Sequence, residues 1–213
     1  MLAASLLTAF WAAFVLALVS PGPNFAVLLG TAIQRGRAAA VRVAFGMAIG
    51  EAVWGFGAVF GVAMLATRYP WIGVALRMGG GLFLIYLAFL SIRAAVRRNG
   101  NGDEALPEPS SEPGPFSTGG GILRGFGLML LNPKAGVFWV SLTSVFMTPE
   151  TPAVIGVIAV AGAVLLSLGW HTMLAVALSA DAVAVVYRRL RRGLEATLGV
   201  VLAGLGLRLL VSN

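Results

Sequence analysis

The chain has 213 residues, 59% of them hydrophobic and 11% charged, with a net charge of +7 and a mean hydropathy of +0.92. So little polar material cannot clothe a soluble domain, and the Lys and Arg residues stand in short segments between long apolar runs instead of forming a nucleic-acid-binding face. The lack of cysteine and the single histidine, His171, exclude disulfides, thiol chemistry and Cys- or His-rich metal sites, and nothing calls for a cofactor.

A helix needs about 20 apolar residues to cross a bilayer. Such runs occur at about 2–30, 40–66, 71–92, 121–147, 153–180 and 195–211, which predicts an all-α integral membrane protein with six transmembrane helices. The first run has no Lys or Arg before Arg35, so it lacks the basic region of a signal peptide and is read as a retained helix. It contains Ser20-Pro21-Gly22-Pro23-Asn24, where two prolines remove backbone donors and clash with the preceding turn, so a break is expected.

The second span carries Glu51 at depth, flanked by Gly46, Gly50 and Trp54, and the third contains Gly79-Gly80-Gly81. The segment 99–120 is rich in Gly, Pro, Ser and Glu and cannot bury enough apolar surface to fold alone, so it reads as a flexible linker. The fourth span holds a second proline interruption, Leu131-Asn132-Pro133-Lys134, the fifth holds Trp170-His171, and the sixth ends in Gly204-Leu205-Gly206-Leu207-Arg208.

Basic residues set the orientation. Arg35 and Arg37 follow the first span, Arg93, Arg97 and Arg98 the third, and Arg188, Arg189, Arg191 and Arg192 the fifth, while the other loops offer only Arg68 and Glu150. Odd loops are therefore cytoplasmic, the linker 99–120 included, and both termini lie outside. The expected layout is a three-helix repeat at 1–98, the linker, and a second repeat at 121–213. Three is odd, so the second repeat is inverted relative to the first.

Broken helices at matching places in two inverted halves point to a site between them, because freed amides and carbonyls there bind ions or polar ligands. The alternative is that the prolines only kink two helices to improve packing. Glu51 and Lys134 are functional candidates because a charge at this depth costs at least ~2.5 kcal/mol unless paired or hydrated. They either pair with each other structurally or receive a zwitterion, its ammonium toward Glu51 and its carboxylate toward Lys134. Glu51 is also the candidate proton carrier. His171 hydrogen-bonds a neighbouring helix, relays a proton or touches substrate, the first being the simplest expectation. The glycines suit close packing within the bundle or between subunits, leaving a homo-oligomer open. Trp11, Trp71 and Trp139 read as interfacial or packing aromatics outside any site.

Ser-Pro-Gly-Pro-Asn in the first span, Gly46-xxx-Gly50-Glu51 in the second and Leu131-Asn132-Pro133-Lys134 in the fourth resemble the LysE/RhtB family of amino-acid exporters, over essentially the whole chain. The resemblance implies efflux of amino acids or close derivatives, such as lysine, arginine, threonine or homoserine, across the bacterial inner membrane in exchange for protons. By position, Pro21, Gly22, Pro23, Asn24, Asn132, Pro133 and Lys134 match the family's two signature turns. The acidic position after Gly50 is often Asp in relatives; Glu51 here reaches further, which bears on substrate size. Other readings are a transporter of another metabolite or ion, a membrane scaffold, and an intramembrane enzyme. No Gly-x-Ser-x-Gly or His-Glu-x-x-His pattern supports the enzyme, and no Walker motif supports direct use of ATP.

Overall fold

A computed structural model describes residues 2–19, 23–97, 120–147, 151–177 and 181–211. Among them the chain forms eight helices and no strand: α1 (Leu2–Val19), α2 (Pro23–Arg35), α3 (Arg37–Arg68), α4 (Pro70–Arg97), α5 (Gly121–Leu130), α6 (Pro133–Phe146), α7 (Ala153–Ala177) and α8 (Asp181–Val211). Pro21 and Gly22 of the first signature turn and residues 99–119 of the linker lie outside the described residues.

The helix limits follow from local chemistry. α2 and α6 both start on a proline, whose missing N–H is no loss at the first helical position and whose fixed φ suits it. α2 gives way to α3 at Gly36, where φ is +79° and the amide bonds back to the Ala32 carbonyl at 3.1 Å. This is the left-handed stop that glycine adopts without a steric penalty. α5 and α6 are bent by 59° across Leu131 and Asn132, so the expected break in this apolar run is present.

Among the described residues two helices are long and apolar enough to cross a bilayer unaided, Arg37–Gly61 within α3 and Ala153–Ala177, and the bent α5–α6 pair, taken as one span, makes a third. Apolar stretches at Ala3–Val19 and Met78–Arg93 are shorter. One expectation needs correction. The sixth apolar run was placed from 195 with Arg188, Arg189, Arg191 and Arg192 in the loop before it, whereas α8 starts at Asp181 and carries all four. Arginine is a good helix former, and 31 residues rise about 46 Å, more than the ~30 Å hydrocarbon layer, so the helix continues past the apolar stretch.

Packing is built on close approaches at glycine. α3 lies against α5 with Gly46 facing the Ile122 carbonyl and Gly125 facing the Val43 carbonyl, and at both points a Cβ would overlap backbone. α4 and α8 meet where Gly206 faces the Gly81 carbonyl and Gly199 faces the Ala88 carbonyl. Lipid is as apolar as leucine, so helices in a bilayer associate through contacts of this kind rather than through hydrophobic burial. Gly57, Gly61 and Gly79 face open space instead. Inside, Phe10 and Phe14 of α1 pack with tilted rings, centroids 6.2 and 5.5 Å away, against Trp139 of α6, while Leu28, Val43 and Met47 form a second core between α2 and α3. Outside, Phe45, Ile49, Val53, Phe60 and Met64 leave an apolar stripe exposed along α3, a surface suited to lipid.

Candidate functional site

The break between α5 and α6 is held by specific bonds. Asn132 Oδ1 accepts from the Lys134 amide at 3.0 Å and caps the N-terminus of α6. At the end of α5 the Gly127 carbonyl accepts from the Leu131 amide at 2.9 Å, and the Met129 carbonyl accepts from both the Asn132 amide and Trp54 Nε1, each at 3.2 Å. A helix end inside an apolar bundle needs such partners, because no water is present to supply them. Trp54 of α3 therefore serves the break in α5–α6. Asn24, the second residue of α2, also reaches this break, its Nδ2 standing 3.8 Å from Met129 Sδ.

Beside this junction lies a cavity of about 100 Å³ lined by residues of all eight helices. A cavity of about 150 Å³ holds benzene, so this space takes on the order of four non-hydrogen atoms, the scale of an amino acid's polar head rather than of a whole residue. Asn24, Asn132 and Lys134 stand at the helix breaks, and Glu51 and His171 come from α3 and α7. The remaining wall is largely apolar, with Phe14, Phe138, Leu198 and Leu202 among its members. The N-termini of α2 and α6 border the space, and the partial positive charge of a helix start suits a carboxylate. Pro23 and Pro133 supply those starts.

Glu51 is buried at 6% exposure and is held from two sides. Trp139 Nε1 donates to Oε1 at 3.3 Å, and Ser167 Oγ donates to Oε2 at 2.5 Å. Ser167 Oγ is also 3.1 Å from His171 Nδ1. Three sequence readings change here. Glu51 makes its hydrogen bonds to Trp139 and Ser167, not to Lys134, so the Glu51–Lys134 pair is not the arrangement of this structure. The carboxylate that acts on Lys134 is Glu195, buried at 4% exposure in α8. Among the described residues His171 bonds no neighbouring helix; both of its hydrogen bonds go to Ser167, one turn back on its own helix. Trp139 is neither interfacial nor mere packing, being fully buried and bonded to Glu51.

Sequence reasoning missed Ser167 and Glu195 as well. Ser167 stands four residues, about one helical turn, before His171, and that spacing was a readable signal. Glu195 follows four arginines and passes in sequence for part of a solvated run. In the helix it lies three and seven residues before Leu198 and Leu202, on the same face as these two lining residues.

A helical bundle with an apolar exterior and a polar cavity beside the break between α5 and α6 suits a membrane transport protein. Comparison with known families agrees, since residues 15–213 match the family described as LysE type translocator. The chain belongs to that family, whose members move solutes across membranes and are not enzymes. It is 28% identical over 201 residues to a threonine efflux protein of Escherichia coli, covering 93% of this chain and 94% of the relative. It is 32% identical over 199 residues to the uncharacterized membrane protein YahN of the same species, covering 92% and 85%. A leucine efflux protein of Klebsiella pneumoniae is 32% identical over 142 residues, covering 66% of this chain and 63% of the relative. No solved structure matches the chain.

Proposed function

We propose that this protein is a secondary exporter of small neutral amino acids, of the threonine and leucine kind, and that it exchanges them for protons across the bacterial inner membrane. The observation that carries the reading is the cavity at the two helix breaks, where Glu51 and His171 sit with Lys134, Asn24 and Asn132 around one small space. One acid and one base suit the two charges of a zwitterion. The ammonium goes toward Glu51, and the carboxylate goes toward Lys134 and the starts of α2 and α6 at Pro23 and Pro133. The apolar remainder of the wall favours an uncharged side chain. Glu51 is the proton-coupling residue, since it is the carboxyl group lining the cavity. The names of the threonine and leucine efflux relatives support the substrate class.

The reading includes six crossings in two inverted repeats, 1–98 and 121–213, joined by a cytoplasmic linker at 99–120, with both termini outside. The packing pattern fits it. α3 meets α7 and α4 meets α8, the pairs that inverted repeats set against each other, and the α3–α5 contact has its counterpart in α7–α1. Pro21 and Gly22 belong to the first break by their place in the sequence.

The test is efflux from proteoliposomes loaded with labelled threonine, leucine, lysine and other amino acids, with and without an imposed proton gradient, for wild type and Glu51→Gln. Gradient-dependent loss of the neutral amino acids, absent in Glu51→Gln, is expected. Movement of no amino acid would overturn the substrate assignment, and gradient-independent movement would overturn the coupling.

A further inference from the structure

Ser167 is fully buried, and it touches both polar groups on one side of the cavity. His171 Nδ1 lies 3.0 Å from its backbone oxygen and 3.1 Å from its Oγ. A carbonyl oxygen only accepts, so the nitrogen facing it at hydrogen-bond distance carries the hydrogen. The Ser167 hydroxyl, which directs its single hydrogen to Glu51 Oε2, offers Nδ1 a lone pair and favours the same assignment. If the Glu51 carboxyl took up a proton, the backbone carbonyl would still hold the hydrogen on Nδ1. The neutral imidazole is thereby locked as one tautomer. Its other nitrogen, Nε2, is a lone-pair acceptor on a residue that lines the cavity.

We propose that Ser167 is a positioning residue that joins Glu51 and His171 into one wall of acceptors, and that this wall receives the free ammonium group of the transported molecule. The inference rests on the amino-acid reading of the cavity and narrows it. A wall of acceptors rewards a group with several N–H donors and a positive charge. It gives a carboxylate nothing to bond, which leaves that end of the molecule to Lys134 and the helix starts. An unblocked amine is therefore required. An N-acetyl derivative, with one donor and no charge, is refused.

His171 is the only histidine in the chain, so isotope-labelled histidine gives the NMR signals of a single imidazole. In nanodiscs at neutral pH the hydrogen is expected on Nδ1 with Nε2 bare, and threonine, but not N-acetylthreonine, is expected to move the Nε2 resonance. Ser167→Ala is expected to weaken threonine binding about tenfold, the usual effect of losing one hydrogen bond to a charged group, and Ser167→Thr to restore it. Glu51→Gln is expected to shift the Nδ1 resonance in the wild-type background and not in Ser167→Ala. Hydrogen on Nε2 in the wild type, equal binding of N-acetylthreonine, or unchanged threonine affinity in Ser167→Ala would each overturn the inference. The first two need no variant and decide the matter even if Ser167→Ala does not fold. Binding of neither threonine nor leucine by the wild type would instead overturn the amino-acid reading and this wall with it.

Discussion

Trp139 Nε1 donates to Glu51 Oε1 across 3.3 Å, tying α6 to α3 at a point where the indole has no solvent exposure. The bond gives the carboxylate one of its two fixed donors. Trp139→Phe keeps an aromatic ring against Phe10 and Phe14 but removes the N–H. Losing a hydrogen bond to a charged group costs about 1.5–3 kcal/mol, so transport at matched membrane levels is expected to fall roughly 10- to 100-fold. An efflux rate within twofold of wild type would show that the indole matters only as packing.

Glycine contacts between α3 and α5 make a sharper test of the fold. A side chain at Gly46 or Gly125 meets backbone carbonyls that cannot move without shifting a helix. Gly46→Val and Gly125→Val are expected to lower stability by about 1–3 kcal/mol or more, read as a fall in thermal midpoint or as loss of folded protein in detergent. Gly57→Ala and Gly61→Ala face open space and serve as controls whose midpoints hold or rise slightly, since alanine is the better helix former.

Asn132 caps α6 through its side-chain oxygen. Asn132→Ala is expected to cost about 1 kcal/mol, within the usual range for a lost N-cap, and to weaken amino-acid binding because the start of α6 loses its fixed direction. Asn132→Asp keeps an accepting oxygen and is expected to hold the midpoint. Because the added charge stands beside the proposed carboxylate position, it is expected to weaken binding all the same. Thermal melts together with binding isotherms separate the two effects.

Lys134 is exposed toward the cavity and its charged neighbour is the buried Glu195. Lys134→Met is expected to weaken amino-acid binding about tenfold or more, through loss of a charge-assisted bond to the carboxylate, and to lower stability by removing a positive charge that favours the buried Glu195 carboxylate. The double variant Lys134→Met with Glu195→Gln is expected to recover the stability but not the binding. Recovery of both would remove Lys134 from substrate recognition.

The membrane class and the fourth-span break were determined by the sequence alone, because both depend on short-range chemistry. Runs of apolar residues report on the solvent around a helix, and Pro133 disrupts its own turn whatever packs against it. Which side chains complete the site was decided only by tertiary structure. Trp139 looks the same in sequence whether it faces lipid or a carboxylate, and Glu195 in an arginine-rich stretch passes for a solvated charge. Ser167 gains meaning from the approach of α7 to α3, which carries Glu51 to its hydroxyl. Partner choice across helices depends on rotation and register between them. Those are set by backbone approaches such as Gly46 against Ile122 and Gly81 against Gly206, contacts between residues far apart in the chain that no local pattern records.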